Sequence, residues 1–76
     1  MKTITNDQII AMNTLLADYV VKTTVLQCED TDLIQYISVD THPSILHQTI
    51  KTANENGLEC YIVRKGNMLV VTSWIK

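Results

Sequence analysis

A chain of 76 residues, 46% hydrophobic and 18% charged, is sized for one small globular domain, residues 1–76, with a thin margin of stability. Its formal net charge of −2 offers no general attraction to nucleic acid or to an anionic membrane. The longest purely apolar run, Met68 to Val71, is too short to span a bilayer, and MKTITNDQII lacks the apolar core of a leader, so a cytoplasmic protein with no membrane contact is expected.

Thr5-Asn6-Asp7-Gln8 has the form of a capping box, flanked by Ile4 and Ile9 at the staple positions. The helix it opens is expected to run to about Val20, with Ile9, Met12, Leu16 and Tyr19 on one stripe and Ile10 and Leu15 broadening it. Next comes the most ambiguous stretch. With period two, Thr23 to Cys28 and Leu33 to Val39 are strands joined by an acidic, solvated turn at Glu29-Asp30-Thr31-Asp32. In the other reading Asp32 caps a short helix through Leu33, Tyr36 and Ile37. The β-favouring residues Ile34, Tyr36, Ile37 and Val39 point to strands.

A second helix is expected to open at Asp40 or Thr41, with Pro43 in its first turn, and to close at Asn56-Gly57 with a left-handed cap. The last stretch, LECYIVRKGNMLVVTSWI, reads as a β-hairpin turned at Gly66-Asn67, both residues being suited to positive φ. A two-residue loop sets Lys65 opposite Met68, Val63 opposite Val70, Tyr61 opposite Thr72 and Glu59 opposite Trp74. Both faces of this hairpin are largely apolar, whereas a hairpin with one wet face should alternate.

Sliding the chain on itself by 36 residues puts Thr5 on Thr41, Ile9 and Ile10 on Ile45 and Leu46, Ala17 on Ala53, and Leu33 and Ile34 on Leu69 and Val70. The shared pattern is helix, strand, tight turn, strand, performed twice. It predicts an α+β fold of order αββαββ, with a four-stranded antiparallel sheet and both helices on one face. The rival layout places a helix on Asp32 to Ser38. In that form residues 32 to 75 resemble the winged-helix DNA-binding superfamily, with SILHQTIKTANENGLECYIVRKGNMLVV similar to a recognition helix, its exit and a wing. The resemblance implies a DNA-binding transcriptional regulator. Ser44, His47, Gln48 and Lys51 would read base edges, and Arg64, Lys65 and Asn67 at the hairpin tip would hold phosphates. Three fixed positive charges imply a salt slope of only about −2.7.

Other chemistry has little support. Cys28, His42, His47 and Cys60 are of zinc-ligand type, yet there is no CxxC, and His42 and His47 do not share a helical face, so inert thiols and solvent-facing imidazoles are expected. Glu29, Asp30 and Asp32 lack the glycine and terminal glutamate of a calcium loop. No nucleophile elbow, P-loop or dinucleotide fingerprint is present, and His47 has no nucleophile at a recognisable spacing. No cofactor, metal or catalytic residue is assigned.

The apolar surplus of the hairpin is the stronger signal. Tyr61, Val63, Met68, Val70 and Trp74 share one face, and Tyr36 and Ile34 are expected to join them in a four-stranded sheet. Trp, Tyr and Met are favoured at interface centres because they give large contact areas at modest entropic cost. The expected function is therefore non-enzymatic. It is that of a small regulator, adaptor or inhibitor acting by protein contact, with a second copy or another protein as partner.

Overall fold

The computed structural model describes residues 3–27 and 30–76. The elements follow in the order α1 (Asn6–Leu16), β1 (Val20–Gln27), β2 (Asp32–Val39), α2 (Pro43–Glu55), β3 (Leu58–Lys65) and β4 (Met68–Ile75). This is the αββαββ arrangement. All pairings are antiparallel, and the four-stranded sheet has the spatial order β1-β2-β4-β3. Asp32–Val39 is a strand held between β1 and β4, so the three-helix layout of the winged-helix reading is not adopted. Cys28 and Glu29, expected at the end of a strand and in the acidic turn, lie outside the described residues.

Local chemistry sets the element ends. At α1 the capping box is complete: the Gln8 amide donates to Thr5 Oγ1 at 3.2 Å, and the Thr5 amide donates to Gln8 Oε1 at 2.9 Å. Gln8 also donates through Nε2 to the carbonyl of Asn56 at 2.8 Å, tying the start of α1 to the end of α2. The helix stops at Leu16, earlier than its apolar stripe suggested, because the β-branched run from Val20 is taken into β1. The cap of α2 is His42, whose Nδ1 accepts from the Ser44 amide at 3.1 Å, rather than Asp40 or Thr41. Asp40 is instead held by Arg64, at 2.7 Å. Gly57, with φ of +75°, supplies the left-handed residue after Asn56.

The β3–β4 hairpin has the expected register and two-residue loop, with Lys65 opposite Met68. Gly66 takes φ of +63°, but no residue other than glycine has positive φ among those described. The turn is thus the primed form in which only the first loop residue is left-handed, and Asn67 is not strained.

Both helices lie on one face. The core joins Met12 and Leu16 of α1 and Ala53 of α2 to Ile34, Tyr36, Leu58 and Val71 of the sheet, with Ile4 closing one end. The helix buries Met12 and Leu16 in α1 and Thr49 and Ala53 in α2, each pair 37 residues apart (12 to 49, 16 to 53), as are the caps Thr5 and His42. The internal match is therefore 37, not 36. A shift of 36 would lay Ile34, which faces the helices, on Val70, which faces away, while 37 lays it on buried Val71.

Asp32, expected in a solvated turn, is the first residue of β2 and is buried, its Oδ2 accepting from the Ile4 amide at 3.3 Å. Its Oδ1 and the Tyr36 hydroxyl are buried and have no hydrogen-bond partner among the described residues. Burial, with a smaller contribution from Cys60, pushes the Tyr36 pKa up to about 12.

Two predictions follow from these contacts. Gln8→Ala removes half the capping box and the tie to Asn56, and should destabilise the fold by about 1–2 kcal/mol in urea unfolding. Gln8→Glu keeps the acceptor for Thr5 but loses the donor to Asn56, and should fall between. For Tyr36, an unfolded chain releases the phenolic proton near pH 10 while the folded one keeps it to about pH 12, so the folded state is penalised as pH rises through that window. Tyr36→Phe should keep the fold, match or exceed the parent in Tm at neutral pH, and abolish a loss on the order of 2 kcal/mol between pH 10 and 12.

Candidate protein interface on the open sheet face

Alternation along the strands decides which side chains meet the helices. Ile34, Tyr36 and Ser38 of β2 pair with Ser73, Val71 and Leu69 of β4, and all six are buried. The intervening residues point the other way: Leu33 pairs with Trp74, Gln35 with Thr72, Ile37 with Val70, and Val39 with Met68. On β3, Glu59, Tyr61, Val63 and Lys65 continue that second face, and on β1, Lys22, Thr24 and Leu26 complete it.

No described element covers this second face. Its residues are half-buried by their neighbours or exposed. Tyr61 is 53% exposed, Val39 42% and Leu26 40%. Tyr61 and Trp74, diagonal neighbours on adjacent strands, meet edge to face with ring centroids 6.0 Å apart and planes at 69°. The face reads as rows across the sheet. One row is Leu26, Leu33, Trp74 and Glu59; another is Lys22, Ile37, Val70 and Val63. A more polar row of Thr24, Gln35, Thr72 and Tyr61 lies between them, with Gln35 Nε2 reaching Thr72 Oγ1 at 3.5 Å.

Five of the residues expected at an interface, Tyr61, Val63, Met68, Val70 and Trp74, thus share the open face. Tyr36 does not. It is fully buried beneath the helices, as is Ile34, because both pair with the helix-facing residues of β4. Leu33 and Ile37 take the places expected for them. Period-two apolar content gives no warning of this, since Leu33 and Ile37 are as apolar as Ile34 and Tyr36. The small residues Cys60 and Ser73, opposite one another, do mark the helix side correctly. Burial pushes the Cys60 thiol up, as expected for an unreactive thiol, and the Ser73 hydroxyl opposes this more weakly.

The residues of the nucleic-acid reading lie on two elements. Ser44, His47, Gln48 and Lys51 are exposed on α2, while Arg64, Lys65 and Asn67 are exposed at the hairpin tip. Arg64 is bound to Asp40, which lowers that carboxyl below its usual range, and Lys51 lies 4.0 Å from Glu55. Lys65 belongs to the open sheet face, beside Met68.

Elsewhere, a cleft of about 240 Å³ between α1 and β1 is lined by Asn13, Leu16, Ala17, Val20 and Thr23. It carries no titratable side chain. Among the described residues no group of three His, Cys, Asp or Glu side chains is placed to hold a metal ion, and no helix is long and apolar enough to cross a membrane.

Neighbouring residues of β4 provide a test of side. Val71→Asp places a carboxylate in the core and should abolish cooperative folding, whereas Val70→Asp, one residue earlier on the open face, should retain the native circular dichroism spectrum and shift Tm by only a few degrees.

No family model, curated protein sequence or solved structure matches this chain.

Proposed function

We propose that the protein is a small non-catalytic binding protein, a regulator, adaptor or inhibitor, that works by protein contact through the open face of its sheet. One observation carries the reading. Leu33 and Trp74 on one side of the Gln35–Thr72 pair, and Ile37, Val70 and Met68 on the other, make the open face of the central strands mostly apolar, and no described part of the chain covers it. An apolar sheet face of this kind gains stability when another protein surface excludes water from it, at about 25 cal/mol per Å². It holds Trp74, in contact with Tyr61, towards one end of β4 and Met68 at the other, residue types that concentrate binding energy at interfaces.

The polar groups of the face favour specificity over general stickiness. Gln35 and Thr72 sit between the apolar rows, where Gln35 Nε2 reaches Thr72 Oγ1 at 3.5 Å, while Glu59, Lys22 and Lys65 stand at the periphery, where charge orients an encounter at little desolvation cost.

Trp74→Ala combined with Val70→Asp tests this reading. The double variant should keep its helical circular dichroism and a cooperative melt but lose concentration-dependent mass in sedimentation equilibrium. Unfolding in place of dissociation would mean that the face belongs to the fold itself, and the reading would fail.

A further inference from the structure

We propose that the occupant of the open face is a second copy of this chain, related by a two-fold axis that crosses the strands and sets Glu59 of each copy over Lys65 of the other. The inference rests on the reading of the open face above. It adds the identity of the partner and the geometry of the contact.

Area is the first argument. Strands of eight residues at about 3.3 Å per residue, four abreast at about 4.8 Å, present roughly 500 Å² of face per copy. Two copies bury about 1,000 Å² between them, the lower bound for a biological contact and the size of a weak, reversible dimer.

Charge is the second. Three charged residues stand on this face: Lys22 on one edge strand, and Glu59 and Lys65 near the two ends of the other. Arg64 and Lys51 are paired within the chain, but neither Glu59 nor Lys65 has an ion-pair partner among the described residues. They are about 20 Å apart along β3, too far to pair with each other. A two-fold axis lying between the stacked faces and running across the strands reverses each strand over its own copy. Glu59 then meets Lys65 at both ends of β3, Trp74 meets Met68, and Leu33 meets Val39. The long Glu and Lys side chains absorb the sideways offset introduced by the roughly 30° crossing of stacked sheets.

The other in-plane two-fold, parallel to the strands, fails the same comparison. It lays β3 over β1, with Glu59 on Leu26 and Lys22 on Val63, leaving charges against apolar side chains without a counter-ion. An isologous contact must be self-complementary, and of the two axes only the one across the strands gives Glu59 and Lys65 each a counter-charge; it leaves Lys22 at the sheet edge over Thr24.

Charge exchange tests the arrangement by sedimentation equilibrium at low and high salt, with circular dichroism confirming that each variant folds. The parent chain should dimerise. Glu59→Lys alone and Lys65→Glu alone each place two like-charge pairs in the contact and should weaken dimerisation about ten-fold at low salt, less at high salt. Combining them recreates both pairs in reverse and should restore the parent constant. A monomeric parent chain would overturn the inference, as would single variants that dimerise like the parent or a double variant no tighter than either single. If charge exchange fails while Trp74→Ala with Val70→Asp still dissociates the assembly without unfolding, the axis is wrong and the open-face reading stands. If that variant unfolds, both fall.

Discussion

Two helices cover one side of a four-stranded sheet, and the alternation of side chains along the central strands decides what that costs. On β4 the residues Leu69, Val71 and Ser73 are buried under the helices, and Met68, Val70, Thr72 and Trp74 face away. Both sets contain large apolar side chains. In a single-layer hairpin with one wet side the second set would be polar, so the strand is built for two covered sides while the described chain supplies one cover. The placement of the Tyr61 and Trp74 rings on the open face is part of this mismatch between alternation and available helices.

Local order was legible because it depends on neighbours in sequence. The Thr5 capping box, the Asn56-Gly57 cap and the Gly66-Asn67 loop each involve residues within one turn of chain, and the β3–β4 register follows from loop length alone. Long-range parity was not. Whether Tyr36 faces the helices depends on its pairing with Val71, set by how β2 docks on a strand more than thirty residues away, and β2 has apolar residues on both sides. The same one-residue ambiguity separates an internal offset of 36 from the 37 that aligns caps and buried positions. Asp32 escaped for another reason: its acidic neighbours suggested a solvated turn, while its carboxylate accepts from the amide of Ile4, distant in the chain.

The two helix-hairpin units are related but not equivalent, and side-chain size accounts for the difference. Where α1 buries Met12 and Leu16, α2 buries Thr49 and Ala53. Small residues let α2 approach the sheet closely, and it packs mainly on β3 of its own hairpin. The larger pair holds α1 further out, and it packs mainly on α2. Met12 and Leu16 still reach the core, but α1 does not lie along β1 as α2 lies along β3.

The strand left without a helix of its own is β1, where Val21 is 61% exposed and Val25 50% exposed. It is bonded to a single neighbour, and a bulge between Val20 and Lys22 breaks its regular pairing with β2. Every second backbone amide in its regular part faces outward, and peeling it away uncovers little core. Resistance to hydrogen exchange should therefore form a gradient across the molecule, shallowest at β1 and deepest at β2 and β4, where both flanks are held. The first unit thus yields at its own outer edge while the shared centre of the sheet stays closed, a division of rigidity that follows from two short side chains on the second helix.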